Sequence, residues 1–487
     1  MKISIPNVRV SRDFRGQTDT ALVQTDLVTH PSLSSKSSCG RPRRLTTVAT
    51  GVLLLSTVFC FSRWAGSAIT TVASPSLVEP DGLKELRNSG LTDAVLNLAG
   101  GWSLQAICKF PEKISSLAAT PENSIGYENR VFVGTQPQGS VYMFNPLSKG
   151  ITTRKIATGL GDLLDHGTCV VNHLSVHDMD HDGLLELVAS TSQIFPAGVP
   201  RLYAWKLGKP SISPLGVARP NIRSHWSHGI AFAAQGGLMT DSSAEEEGAF
   251  ITFCGEGEVV EYRLASVTSE SGFVTQSLGW KVVGQLPASG EWSQSDDVDG
   301  DGRMEICLAT GYAKGMAAIH IYGVHGSGQA LVLEQRIDED GRFANVRFIS
   351  AQLRGDGSRD LIAWWQTDHL YGGECEMISY RLGPEGIRAR TVIATGHSAD
   401  LQPDDGQFQV ADLDGDNKSE LWFATSSGKL LRYQPEDSSG PEVMLQLNGG
   451  IGPIAASAPG LGGVQSLYLG WGQYVAEFKV DGKSVKK

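Results

Sequence analysis

The chain has 487 residues and 57 glycines, long enough for one large domain or several small ones. Its formal net charge of −11 is unevenly divided: residues 1–64 hold nine Lys/Arg against three Asp, and the remainder holds 32 basic against 49 acidic groups. An acidic body of this kind repels a phosphate backbone, which argues against a nucleic-acid partner. Helical apolar spacing is scarce. Short runs of Val, Ile, Tyr, Phe and Trp bounded by Gly, Asp, Asn and Ser predominate, the pattern of a many-stranded β protein.

In chain order, residues 1–44 read as a disordered basic tail, rich in Ser and Thr and ending in Arg41, Arg43 and Arg44. Residues 45–62 are apolar, at the lower length limit for a membrane-spanning helix and long for a signal-peptide core. Three arginines precede this stretch and Arg63 follows it, so the positive-inside rule keeps residues 1–44 cytoplasmic and sends the rest across. Two readings fit. One is a transmembrane signal anchor that holds the protein to the membrane through 45–62. The other is a signal peptide cut near Gly66-Ser67-Ala68 or Val72-Ala73, giving a secreted protein. Either places the remainder outside the cytoplasm, in a periplasmic, extracellular or lumenal space. Residues 63–100 form a linker with Pro75, Pro80 and a short helix over 82–98, and 481–487 form a tail.

From Gly101 the chain is periodic. DMDHDGLLE (178–186), DVDGDGRME (297–305) and DLDGDNKSE (412–420) share one pattern, and QLRGDGSRD (352–360) is a worn copy. The starts at 297, 352 and 412 lie 55 and 60 residues apart, and the interval of 119 from 178 to 297 hides one further unit near 238. Its loop is replaced by an acidic insertion from Asp241 to Glu247. Units without a loop also precede and follow the series, making seven. Each pairs two alternating strands, such as ELVAST with RLYAWKL and EICLATG with AAIHIYGV, and a further strand precedes the later acidic turns. The last unit lacks that strand, and GWSLQAICKFP at 101–111 has the pattern to supply it. The expected fold is therefore an all-β, seven-bladed β-propeller over 101–480, closed by an N-terminal strand and preceded by a single transmembrane or signal helix.

Carboxylates at loop positions 1, 3, 5 and 9 with a turn residue at 6 can surround a hard cation with oxygen. These are Asp178, Asp180, Asp182 and Glu186; Asp297, Asp299, Asp301 and Glu305; and Asp412, Asp414, Asp416 and Glu420. The flanks are strand-like, and position 12 is Ala189, Leu308 or Phe423, which excludes an EF-hand. The loops resemble the calcium loops of FG-GAP (VCBS-type) repeats, the propeller units of integrin α-subunit heads and of many secreted proteins. That resemblance implies up to three structural Ca²⁺ sites. The worn copy has Arg354 at position 3, where a cation would be repelled.

About six residues before each loop the chain enters a strand through polar stretches: LLDHGT, SHWSHG, SGEWSQ, DEDGRF and PDDGQF. In a ring these fall together at the channel mouth, and His166, His228 and Glu291 are the candidate catalytic residues there. Trp226 and Trp292 stand beside them, suited either to stacking on a sugar or to packing. No nucleophile elbow, zinc-protease, P-loop or dinucleotide motif is present. Two functions fit: a module binding a carbohydrate or protein ligand on its loop face, or a carbohydrate lyase or hydrolase acting at the channel mouth. Among seven cysteines no C-x-x-C pair occurs, and Cys108, Cys254 and Cys307 lie in strand-like runs as small buried hydrophobes.

Overall fold

The computed structural model describes residues 95–98, 101–121, 127–160, 169–193, 201–208, 212–218, 226–234, 247–254, 257–268, 274–323, 331–354, 356–368, 372–404, 406–436, 440–447, 449–459 and 463–480. The basic tail, the apolar stretch 45–62, most of the linker and the tail 481–487 lie outside the described residues. No helix among the described residues is long and apolar enough to cross a membrane.

Two strands come first, β1 (Val95–Asn97) and β2 (Trp102–Lys109). Blade 1 follows as β3 (Lys113–Ala119), β4 (Val131–Gln136), β5 (Val141–Phe144) and β6 (Arg154–Ala157). Blade 2 is β7 (Cys169–His177), β8 (Glu186–Gln193), β9 (Arg201–Leu207) and β10 (Ile212–Ala218). Blade 3 is β11 (Trp226–Ala234), β12 (Glu247–Cys254), β13 (Glu258–Thr268) and β14 (Val274–Gln285). Blade 4 is β15 (Ser289–Asp296), β16 (Glu305–Gly311), β17 (Ala318–Gly323) and β18 (Val332–Asp338). Blade 5 is β19 (Asn345–Ala351), β20 (Asp360–Gln366), β21 (Glu374–Gly383) and β22 (Gly386–His397). One helical turn, α1 (Ser398–Leu401), leads into blade 6: β23 (Phe408–Ala411), β24 (Glu420–Ala424), β25 (Lys429–Tyr433) and β26 (Glu442–Gln446). Blade 7 adds β27 (Ile454–Ala456), β28 (Leu467–Trp471) and β29 (Tyr474–Val480).

Blades 1–6 are four-stranded antiparallel meanders, and the seventh sheet runs β1-β2-β29-β28-β27. The fold is an all-β seven-bladed β-propeller. The innermost strands β3, β7, β11, β15 and β19 pack in succession, and β23 packs on β27, which packs on β3 to close the ring. Between blades 5 and 6 the seam is aromatic: Trp364 lies 5.6 Å from Phe408 and 5.3 Å from Phe423, centroid to centroid.

The strand expected to complete the last blade is β2. It pairs antiparallel with β29 from Trp102↔Val480 to Lys109↔Tyr474. Trp102 stacks on Phe478 at 5.0 Å and meets the edge of Trp422 at 5.5 Å. One expectation fails here: the end of the 82–98 stretch is strand, not helix, because Val95–Asn97 add to the open side of β2. That satisfies backbone groups which a lone β2 edge would leave to water.

Burial differs from the simple alternation seen in the sequence. Every residue of β16 and β20 is buried. A second strand is covered on both faces because neighbouring blades sandwich it, as in parallel α/β sheets. The outermost strands pay less heed to packing: β22 is exposed or half-buried throughout. Trp364, Trp365, Trp422, Phe250 and Phe348 are among the largest fully buried side chains. Of the cysteines, Cys108, Cys169, Cys307 and Cys375 are free and buried.

Two outcomes follow from this packing. Trp102→Ala should cost about 3–5 kcal/mol, the range for deleting a buried aromatic, read as a lower midpoint in urea unfolding; an unchanged midpoint would mean the closing strand adds nothing. His320, on β17 and 2% exposed, has its imidazole pKa lowered to about 4 by burial and by Arg336 across the sheet, against the opposing pull of Asp338. The unfolded chain takes up this proton near the ordinary value and the folded protein does not, so stability is lost as pH falls from about 6.5 towards 4. His320→Gln should flatten that part of the stability–pH curve.

Candidate metal loops and the channel mouth

Each acidic loop joins the innermost strand of a blade to its second strand, and the three full copies share one geometry. The position 1 carboxylate accepts from the backbone N–H at position 6: Gly183 to Asp178 Oδ2 at 3.0 Å, Gly302 to Asp297 Oδ2 at 3.1 Å, and Asn417 to Asp412 Oδ2 at 2.9 Å. Position 6 has φ of +81° (Gly183), +88° (Gly302) and +63° (Asn417), which is why Gly or Asn stands there. The position 5 carboxylate accepts from the N–H two residues on, at 2.8–2.9 Å, in Asp182, Asp301 and Asp416. Position 9 opens the second strand, and its carboxylate accepts from the N–H at position 2: Met179 to Glu186, Val298 to Glu305, and Leu413 to Glu420.

These bonds hold carboxylates together. Asp412, Asp414, Asp416 and Glu420 can bring one oxygen each within 4.8 Å of one another, as can Asp178, Asp180 and Glu186, and Asp297, Asp299 and Glu305. Asp182 and Asp301 stand outside these tight groups. The position 9 glutamates are nearly inaccessible: Glu186 0%, Glu305 2% and Glu420 0% exposed. Burial first, and then the neighbouring aspartates, push Glu186 and Glu305 up to about 8 and Glu420 up to about 7. Glu186 Oε1 is buried and accepts no hydrogen bond. Several carboxylates converging on one point fit a hard cation. Aspartate and glutamate oxygens are the ligands Ca²⁺ prefers, and the cation would keep all of them ionised.

The loops differ in what else reaches them. In blade 2, Lys206 Nζ lies 2.9 Å from Asp180 Oδ2 and 3.8 Å from Glu186 Oε1, and also bonds Asp182. In blade 5, Arg354 Nε donates to Asp360 Oδ2 at 2.8 Å, with Ser379 Oγ on the other oxygen at 3.3 Å. In blade 6, Gln434 Nε2 donates to Glu420 Oε1 at 3.1 Å. Arg432 is 3.5 Å from Asp414 but holds Glu442 more closely, at 2.8 Å. Among the described residues no lysine or arginine pairs with the carboxylates of the blade 4 loop.

Two of the predicted catalytic residues, His228 and Glu291, lie towards the other end of the innermost strands. Glu291 is the third residue of β15 and His228 the third of β11, whereas the acidic loops follow the strand ends. At the offset singled out in the sequence, blades 2, 3 and 4 carry a β-bulge, whereas the β19–β20 and β23–β24 ladders of blades 5 and 6 keep register. Register shifts fall at Ile114/Ser116, Val171/His173, His228/Ala231 and Gly290/Trp292, and in blades 1, 2 and 4 the extra residue is Ser115, Asn172 or Glu291. A bulge re-aims one side chain, and here it aims them at the next blade. Ser115 Oγ donates to the Val171 carbonyl at 2.8 Å, and Asn172 Nδ2 to the Ser227 carbonyl at 2.7 Å. Ser293 Oγ donates to the His228 carbonyl at 3.1 Å. Arg347 Nη1 donates to Glu291 Oε2 at 3.2 Å and to Asn345 Oδ1 at 2.9 Å.

His228 and Glu291 are thus built into adjoining blade seams, 6% and 5% exposed. His166 and the side chain of Trp226 lie outside the described residues. Trp292 is buried, with its ring 5.6 Å from His173 of blade 2 and 4.9 Å from Phe408 of blade 6. Three non-adjacent blades therefore meet at one indole inside the ring. Sequence reasoning missed Lys206, Arg347, His173 and Phe408. Lys206 could have been found from strand pairing, since it stands opposite Glu186; the others have no local signal.

Fold and loops together define a β-propeller with acidic loops at one end of its innermost strands. No protein-family model matches the chain, and no curated protein matches it in sequence. Among solved structures it is similar to the structure of U3-55K, at 13% identity and a TM-score of 0.45, over 77% of this chain and 98% of that one.

The burial of Glu305 gives a sharp test. In EDTA at pH 8, Glu305→Gln should raise the melting temperature, because a neutral amide replaces a carboxylate that burial disfavours. In calcium the same variant should show a smaller thermal shift than the wild type. Equal calcium shifts in both proteins would remove Glu305 from the ligand set.

Proposed function

We propose that this protein is a binding module: a propeller stapled by Ca²⁺ at its FG-GAP-like loops, which recognises a carbohydrate or protein partner through the face carrying those loops. On this reading residues 45–62 deliver the propeller outside the cytoplasm, as a membrane anchor or a cleaved signal. The observation that carries it is the packing around Trp292 inside the ring. Trp292 meets His173 and Phe408 within the ring, and His228 and Glu291 are nine-tenths buried, with Glu291 bonded by Arg347 of the next blade. A general acid or base must reach the proton it moves, and Glu291 Oε2 is instead given to Arg347. The metal on this reading is structural, since each loop supplies its own ligands and the cation joins the innermost strand to the second.

The loop-bearing end offers an open alternative surface. A shallow groove of about 400 Å³ runs between blades 5 and 6, lined by Ser350, Arg354, Arg359, Val410, Lys418 and Ser419 among others. Polar and basic groups over a small apolar floor suit sugar hydroxyls or a polar protein segment. The test is to screen the full-length protein against glycan and peptide arrays in calcium, then repeat with Lys418→Glu, an exposed position. A specific ligand whose binding falls at least tenfold in the variant, with melting unchanged, is the expected result. Turnover of a carbohydrate substrate that Glu291→Gln abolishes would replace this reading with the enzymatic one.

A further inference from the structure

The three full loops share a backbone, and the four loops differ in whether the chain supplies a cation of its own. Lys206 pairs across the sheet with Glu186, the position 9 ligand, so its stem runs along the second and third strands and delivers Nζ among the carboxylates. In blade 4 the residue paired with Glu305 is Gly323. No side chain leaves that position, and among the described residues the hydrogen bond to the Glu305 carboxylate comes from the Val298 N–H. In blade 6 the residue beyond the Leu421–Tyr433 pair is Gln434, whose amide is neutral. In blade 5 the cation comes from within the loop, where Arg354 replaces the position 3 aspartate and bonds the position 9 residue, Asp360.

We propose that the blade 2 and blade 5 loops are filled by the protein's own Lys206 and Arg354, so that only the loops of blades 4 and 6 take a divalent cation. This rests on the reading of the full loops as calcium sites, and it divides loops that the sequence pattern treats as equal. An ammonium carried on the adjacent strand competes at an effective concentration of about a millimolar or more, and it is never diluted away. It also brings three donors that suit three carboxylates. Blade 2 therefore keeps the fold of its loop without metal. Among the described residues no lysine or arginine pairs with the blade 4 loop carboxylates, and the charge acting on Asp299 is further acid: Asp301, Asp297 and Glu334. Arg432 leaves blade 6 open because its closer bond, to Glu442, draws it outward.

The experiment counts Ca²⁺ bound to metal-stripped, full-length protein by equilibrium dialysis with Ca²⁺ alone. The wild type should bind two ions. Asp299→Asn and Asp414→Asn should each remove one, Asp180→Asn should remove none, and Lys206→Met should raise the count to three. Three ions in the wild type, with Asp180→Asn reducing them to two, would overturn the assignment while leaving the calcium reading intact. A count of two that Lys206→Met leaves unchanged would also overturn it, since the loop would then have no affinity for Lys206 to mask. No uptake by the wild type would instead refute the calcium reading on which the assignment rests.

Discussion

A four-stranded sheet with two apolar faces has no stable existence in water, and every blade depends on being covered by the next. The evidence is in the second strands, which are buried along their whole length in blades 4 and 5. Covering both faces of every sheet requires a ring, and a ring requires closure, so the Trp102–Phe478 stack and the β2–β29 ladder stand behind packing far away in the molecule. The bulge on several innermost strands belongs to the same constraint. Ser115, Asn172 and Glu291 are turned out of the ladder and reach the neighbouring blade or are reached by it, linking seams that apolar contact alone would leave free to slide.

Much of this could be read from the chain before any coordinates. The spacing of the acidic loops counted the blades, and GWSLQAICKFP named the closing strand because the last unit lacked one. Local patterns repeat, and repeats are visible. What could not be read is what depends on distant partners. The alternation in EICLATG suggests one wet face, but Glu305–Gly311 have none, because that face meets another blade. The stretch ending in Val95–Asn97 looks helical in isolation and is an edge strand because β2 needs a neighbour.

The candidate site divides along the same line. The carboxylate clusters are legible because positions 1, 3 and 9 converge within a single loop. The channel-mouth residues were found by offset, and the offset was meaningful, but in blades 2, 3 and 4 it marked a bulge. His228 and Glu291 have side chains that catalysis could use, but both are buried, and Glu291 is given to Arg347. Residue type and position alone cannot distinguish a reactive carboxylate from one that braces a seam. Lys206 is an intermediate case: it becomes visible once the pairing of β8 with β9 is known, and only then does the DMDHDG loop cease to resemble its two companions.

The closing strand also sets a schedule. Ser103 Oγ bonds the carbonyl of Lys479, 376 residues later in the chain. Ribosomal synthesis at about 5–20 residues per second places roughly 20–75 seconds between the emergence of these two partners. During that interval β2 exists with no β29 to pair with. The six blades between them can form from neighbouring hairpins as they are made, whereas the seventh joins the first and last strands of the ring and must come last. A nascent chain of this protein therefore carries an unsatisfied apolar strand for most of its synthesis. Its folding yield depends on how that strand is shielded until the final residues arrive.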